Sequence, residues 1–588
     1  MKRIAARFKP FAPRAPEISV RERPQLRLAH LHLEGIVKQA LDTARTRLMF
    51  SAGLFILAFL AIGMRLVDVT MLRQGTEPRI ATSEQSGPLR MDRADITDRN
   101  GVLLATDLET ASLYANPRQI AKPVEAARQI AGVLPDLSTD ELTAHLSAHR
   151  GFVWIKRNLT PKQEYEVNRL GIPGLYFQRE ERRIYPQGAL VSHVVGFSDI
   201  DNKGLAGVEE SFDKRLREDS APLRLSLDVR VQHILHEELS QAMHDYAATG
   251  AVGVVSDIRT GEVTAMVSLP DFDPNDSSSD PEDARFNRAT LGVYEMGSTF
   301  KIFTTAMALE SKVATLDDTY DASNPIHVAR FTINDYHPQS RWLSVPEIFI
   351  YSSNIGAAKM ALDVGAERQQ AYLRRLGLLE PAHIQLPEVG APQLPSPWRE
   401  LSTMTVGYGH GLSVSPLQVA SAVATVMDSG IAHDPTLLRV SSDARPQGRR
   451  VLSDSTSDAL RRLMRLNVVD GTGKKAEEAG YLVGGKTGTA EKSEGGGYNR
   501  KALLSSFVAA FPMDEPRYVV LVMFDEPKAS AETSGFATGG WTAAPVAGRV
   551  IARMAPVVGV SPIDEDAPEI QAQMAIDVGA RGRRLASY

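Results

Sequence analysis

The feature that most constrains this chain is Leu48–Met64 (LMFSAGLFILAFLAIGM), seventeen consecutive residues without a charge. As a helix, at about 1.5 Å per residue, the run spans roughly 26 Å, close to the thickness of a bilayer core once Leu66 and Val67 are added. A helix apolar on every side belongs either in a protein core or in a membrane, and the flank decides between them. Residues 1–47 carry eleven Lys or Arg against Glu17, Glu22, Glu34 and Asp42, a net of +7 that leaves −12 for the rest of a chain whose total is −5. A basic arm set hard against an uncharged run fits a membrane span better than a buried core helix, with the arm in the cytoplasm. A cleaved signal peptide would need a charged leader of 47 residues, far outside the usual form. The expectation is a basic cytoplasmic arm at 1–47, one uncleaved anchor at 48–72, and everything beyond it outside the cytoplasmic membrane.

The 588 residues exceed one ordinary core, so more than one domain is expected. With 43% hydrophobic and 23% charged residues the chain is neither disordered throughout nor polytopic. The absence of cysteine rules out disulfides, thiolate catalysis, iron–sulfur clusters and cysteine zinc sites. A near-neutral total argues against nucleic acid as the main partner. Between residues 73 and 222, short apolar stretches alternate with charged turns such as Asp98-Arg99-Asn100-Gly101, and nothing groups into a catalytic set. From Leu223 the texture changes. Leu223–Leu227 alternates like a strand, Val229–Tyr246 reads as a helix, and Gly250–Ser256 with Glu262–Ser268 reads as a hairpin. Ser505–Phe511 and Tyr518–Phe524 add two strands. One large α/β domain is expected at 223–562, followed by a polar, disordered tail at 563–588.

Several motifs fail as sites. In Gly471-Thr-Gly473-Lys474 the first glycine of a phosphate loop falls on Val468, and Lys475 stands where Ser or Thr should hold magnesium. His233-Ile-Leu-His236-Glu237 lacks the order of a zinc helix, and the 13 His form no metal cluster. Ser-x-x-Lys occurs twice. Ser211-Phe-Asp-Lys214 precedes a solvated charged stretch, whereas Ser298-Thr-Phe-Lys301 follows Gly297 and opens the apolar run Ile302–Leu309. That context places Ser298 in the first turn of a buried helix with Lys301 one turn on, a nucleophile beside its base. A lysine base near neutral pH needs a depression of about 3 units from its free value, which burial and a second cation can supply. Lys486, in the only Lys-Thr-Gly of the chain, is the candidate cation; small Gly488 admits a substrate backbone, and the Thr487 and Thr489 hydroxyls can bind a carboxylate. A third piece, Ser352-Ser353-Asn354, is the only Ser-x-Asn and lies between two helix-like stretches.

In order and spacing, Ser298-x-x-Lys301, Ser352-x-Asn354 and Lys486-Thr487-Gly488 resemble the signature of the serine penicillin-recognising enzymes. The stretches Arg93–Gly101 and Gly204–Glu209 resemble the pedestal module of class B penicillin-binding proteins, and Gly407–Gln418 resembles part of their large domain. Within that class the chain is most similar to the division-specific, FtsI-type transpeptidases. Ser352-Ser353-Asn354-Ile355-Gly356 matches that branch, since elongation enzymes commonly carry an acidic third residue. One departure is Met296, where the family usually has proline.

The resemblance implies an α/β (α+β) penicillin-recognising domain, with an antiparallel sheet flanked by helices. An elongated, non-catalytic, dimerisation-type α+β pedestal at 73–222 and a single transmembrane helix would precede it. It implies a D,D-transpeptidase that cross-links peptidoglycan stem peptides at the septum through an acyl-enzyme on Ser298 and is acylated by β-lactams. Lys301 would take the serine proton, Ser352 would pass one to the leaving amine, and Asn354 would orient Lys301 and the donor amide. Lys486 would supply positive charge, Thr487 and Thr489 would hold the donor carboxylate, and the Ser298 and Thr489 N–H groups would form the oxyanion hole. No cofactor or metal is implied; the partners are an FtsW-type glycan polymerase and other divisome proteins. A membrane-anchored β-lactam sensor, an elongation-specific transpeptidase and a β-lactamase share the three motifs. Sensors usually have several spans, and a β-lactamase would be secreted and about half this size.

Overall fold

The computed structural model describes residues 34–67, 93–276, 280–328, 331–441, 446–494 and 497–576. The basic arm over residues 1–33, the first part of the expected pedestal and the last twelve residues of the expected tail lie outside the described residues. Residues 1–90 and 91–588 are separate units.

Among the described residues, the first unit holds one helix, α1 (Glu34–Val67). It begins well before the uncharged run, because Val37-Lys-Gln-Ala-Leu41 and its neighbours are good helix formers. Its window Arg47–Met64 is long and apolar enough to cross a membrane, and its large side chains are exposed all round, Phe50 at 80% and Phe59 at 70%.

The second unit begins with a pedestal sheet. Strand β1 (Leu103–Ala115) is central, pairing antiparallel with β2 (Val153–Leu159) and with β3 (Leu175–Ile184). One face of this sheet packs Leu113, Ala115 and Leu159 against Ile130, Leu142 and Val167 of three short helices, a small core of its own. Arg93 and Arg183 are almost wholly buried and share the Glu209 carboxylate at 2.6 and 2.7 Å. Asp213 and Asp107 complete the charge balance on Arg93 and Arg183. The turn residues Asp98 and Arg99 reach across the boundary: Asp98 accepts from the Val229 N–H, and Arg99 pairs with Glu262 at 3.0 Å.

The large domain is organised by a five-stranded antiparallel sheet. Helix α2 (Val229–Asp245) leads into β4 (Gly250–Asp257) and β5 (Val263–Leu269). The nucleophile helix α3 (Lys301–Glu310) follows. Next come a short antiparallel pair, β6 (Ile326–Val328) and β7 (Phe331–Ile333), and the helices α4 (Val345–Ile350) and α5 (Asn354–Val364). The sheet closes with β8 (Gly484–Glu494), β9 (Gly497–Phe511) and β10 (Tyr518–Asp525), and the Gly297–Phe300 turn that opens α3 meets β8. The strand order is β8-β9-β10-β4-β5.

Alternation along each strand sorts the residues into two cores. Val254, Val508 and Leu521 face a layer that includes Ile302, Phe303 and Leu463. Val255, Ala509 and Val522 face Leu235 of α2 and Val546 and Val550 of α6 (Ala543–Met554). Buried on both faces, β10 therefore reads as an unbroken apolar run, Tyr-Val-Val-Leu-Val-Met-Phe. The expectation of a disordered tail needs correction over 563–576. Ile563, Ile570, Met574 and Ile576 pack against the larger core, Pro568–Met574 is helical, and Glu565 pairs with the nearly buried Arg465 at 2.8 Å. Apolar residues four apart, Ile570 and Met574, give that helix a stripe to dock.

Candidate active site

Gly297–Phe300 forms one tight turn that runs into α3, so Ser298 sits at the mouth of the helix and Lys301 inside its first turn. Gly297 is required there. Its φ is +55°, and a Cβ would lie 2.5 Å from the Thr489 carbonyl oxygen of β8. The carbonyl of buried Met296 accepts the Thr299 hydroxyl at 2.9 Å and closes the turn. The turn is held from behind, since the Gly297 N–H donates to the Gly409 carbonyl and the Thr304 hydroxyl to the Gly407 carbonyl.

The structure brings all three motifs to one point. Lys301 Nζ lies 2.8 Å from Ser298 Oγ, 2.8 Å from the Ser352 carbonyl oxygen, 3.0 Å from Ser352 Oγ and 2.7 Å from Asn354 Oδ1. A carbonyl and an amide oxygen only accept, so they take both hydrogens of a neutral amine and leave its lone pair for the Ser298 hydroxyl. Ser352, at φ +57°, occupies the left-handed region, which costs a non-glycine residue about 1–2 kcal/mol. That conformation allows its carbonyl and its hydroxyl to meet Lys301 together.

Lys486 approaches the same hydroxyl from β8, with Nζ 3.0 Å from Ser352 Oγ and 3.3 Å from the Thr487 carbonyl. Lys301 is 1% exposed and Lys486 not at all. Burial, reinforced by the neighbouring Lys486 charge and opposed by Asp335, holds the Lys301 amine far below its ordinary value. Burial alone brings Lys486 down to about 7. Thr487 Oγ1 lies 2.7 Å from Thr472 Oγ1, and Thr489 Oγ1 accepts the Gly539 N–H at 3.1 Å. Gly488 lies between them where a Cβ would come within 2.6 Å of the Met296 carbonyl oxygen, so β8 and the nucleophile turn touch backbone to backbone. The Gly471–Lys474 stretch, which fails as a phosphate loop, contributes Thr472 to this wall; Asn467 ties it to β8 through the Gly485 carbonyl at 2.8 Å. No cluster of His, Asp or Glu suited to a metal occurs among the described residues. Ser211 ends one short helix and Lys214 lies in the next, with no serine–lysine hydrogen bond there among the described residues.

Sequence reasoning missed Asp335. It is 8% exposed, accepts the Ser353 hydroxyl at 2.7 Å and the Ile355 N–H at 2.9 Å, and thereby grips the turn that carries Ser352. Asp335 is seventeen residues before Ser352 and outside every motif; the only available signal was the period-two pattern of Phe331-Thr-Ile333 just before it.

A serine hydroxyl on a buried lysine whose proton affinity burial lowers, backed by a second lysine and the Thr487 and Thr489 hydroxyls, defines a serine acyl-transfer enzyme. The chain matches the penicillin binding protein transpeptidase domain over residues 251–552 and the penicillin-binding protein dimerisation domain over residues 89–238, and it belongs to that family. It is 43% identical to the probable peptidoglycan D,D-transpeptidase FtsI of Caulobacter vibrioides, over 80% of this chain and 82% of that one. To the peptidoglycan D,D-transpeptidase FtsI of Escherichia coli it is 29% identical, over 80% of this chain and 84% of the relative. The crystal structure of penicillin-binding protein 3 from Mycobacterium tuberculosis, complexed with aztreonam, superposes with a TM-score of 0.63 at 24% identity, covering 81% of this chain and 98% of that one. It shares the fold.

Proposed function

We propose that the protein is a membrane-anchored serine D,D-transpeptidase that cross-links the stem peptides of peptidoglycan during division. The observation that carries this reading is the Lys301 amine, buried 2.8 Å from Ser298 Oγ, where burial lowers its proton affinity far below the ordinary value. Lys301 takes the Ser298 proton as Oγ attacks the carbonyl between the two terminal D-alanines of a donor stem. The oxyanion is stabilised by the backbone N–H groups of Ser298 and Thr489, a contribution of about 3 kcal/mol or more. Ser352, joined to both lysines, passes a proton to the departing D-alanine amine; Asn354 fixes the Lys301 head and the donor amide. Thr487, Gly488 and Thr489 seat the donor carboxylate against the charge of Lys486. The amine of a neighbouring stem then attacks the acyl-enzyme, and the 4,3 cross-link forms as Ser298 Oγ recovers its proton.

An FtsW-type glycan polymerase at the septum is the proposed source of strands, reached through α1. Ser51, Ala52, Gly53, Ala58, Ala61 and Gly63 are small residues that permit close helix pairing. Incubating the full chain in detergent with nascent strands, followed by muropeptide analysis, should yield cross-linked dimers and free D-alanine; Ser298→Ala should yield neither. Dimers from the Ser298→Ala protein would remove the serine from the reaction. In cells, depletion should give long filaments with intact side walls. Swollen or round cells would move the protein to the elongation branch.

A further inference from the structure

We propose that Asp335 is a positioning residue of this site: its carboxylate clamps the Ser352 turn in the conformation that sets the Ser352 carbonyl and hydroxyl on Lys301. The inference rests on the acyl-transfer reading above and adds a group that none of the three motifs contains.

Three contacts from one short segment brace the turn. Asp335 Oδ2 accepts the Ser353 hydroxyl, Asp335 Oδ1 accepts the Ile355 N–H, and the Asn334 carbonyl accepts Asn354 Nδ2 at 2.9 Å. The last contact fixes the orientation of the Asn354 amide, which is what leaves Oδ1 facing Lys301. The same Ser353 hydroxyl also accepts the Gly356 N–H as the cap of α5, so one carboxylate joins the turn to its helix. The segment is itself anchored. Ile333, at the end of β7, packs with Ala358 of α5 and with Met404, so β6, β7 and α5 form one packed body. The brace matters because Ser352 holds a left-handed conformation that nothing in its own side chain favours.

Asp335 also places a negative charge near the base. The charged or titratable groups that face Lys301 are Lys486 on β8, Asp335 on the segment after β7, and His410 after the Glu400–Gly407 helix. Of these only Asp335 favours the ammonium form, and so limits how far the amine is depressed. Position and charge can therefore be separated. Asp335→Asn keeps an acceptor for the Ile355 N–H and a polar contact to Ser353 but loses the charge; Asp335→Ala loses both.

The test is the second-order rate of penicillin acylation of the full chain across pH, with adduct formation on the wild type as the control for the acyl-transfer reading itself. Asp335→Ala should lower the plateau rate about tenfold or more while a single adduct still forms on Ser298. Asp335→Asn should keep the plateau within about threefold and move the acidic limb toward lower pH by about half a unit, because Lys301 then sheds its proton more easily. Should Asp335→Ala fail to fold, Asp335→Asn carries the test alone. An alanine variant within about twofold of wild type, or an asparagine variant whose acidic limb stays in place, overturns the proposal.

Discussion

At the scale of single residues, the chemistry turns on two lysines whose proton affinity burial lowers, Lys301 the further of the two by reason of the Lys486 charge beside it. Lys301→Arg retains a cation that cannot deprotonate at usable pH, so acylation should fall by orders of magnitude, read as the rate of penicillin labelling. Wild-type acylation should decline as pH drops through the depressed Lys301 value, since protonation removes the base; a flat acidic side would deny lysine that role. Lys486→Met tests the cost of the arrangement. A lysine that titrates near 7 when folded and near 10.5 when unfolded penalises folding most at and below pH 7, and the penalty shrinks as pH climbs toward 10.5. The methionine variant should therefore be more stable at pH 7, by about 2–4 kcal/mol, with slower acylation; the gain, measured by denaturant midpoints, should fade in alkali. Ser298, Lys301, Ser352, Asn354 and Lys486 were all legible in the sequence, because each sits in a short motif whose spacing is local. Asp335 was not. It acts through hydrogen bonds to residues eighteen and twenty positions away, and no local pattern in the segment after β7 announces that reach.

At the scale of elements, the site is a junction between one helix mouth and one strand edge, and glycines set how closely they meet. Gly488→Ala would put a Cβ 2.6 Å from the Met296 carbonyl oxygen and 2.9 Å from Thr299 Cγ2, prising β8 off the nucleophile turn. The fold should survive with a loss of about 1–3 kcal/mol, while acylation drops by about a hundredfold. Unchanged acylation would mean that β8 and the turn need not touch. The β4–β5 hairpin, α2 and the two late strands were readable because α2 repeats an apolar stripe and each strand is a short apolar run bounded by turn residues. Leu223–Leu227 reads as a longer strand than it forms. Only Leu223–Arg224 pairs as a strand, parallel to Ile96–Thr97, while Leu225 makes a lone bridge to Leu438. The register of a two-residue parallel ladder is set by a partner more than a hundred residues away, which local pattern does not encode.

At the scale of the whole molecule, the pedestal residues nearest the catalytic domain share its core: Ile96, Leu104, Val194 and Val208 pack in the same cluster as Phe303 and Leu417. The sequence shows that region as short apolar stretches alternating with charged turns. Two of its arginines, Arg93 and Arg183, lie inside, because Asp107 on one segment and Glu209 with Asp213 on another converge on them. Glu209→Ala would leave two buried guanidinium groups short of their shared partner and should cost about 3–5 kcal/mol in urea unfolding, far from any reacting atom. The account as a whole stands on Ser298 as an acylating nucleophile. Its most direct test is the intact mass of the full chain after incubation with penicillin, followed by peptide mapping. The account predicts one penicillin adduct, mapped to Ser298, absent from Ser298→Ala and unaffected by Ser211→Ala. A stoichiometric adduct that persists in Ser298→Ala, or that maps to any other residue, would contradict it.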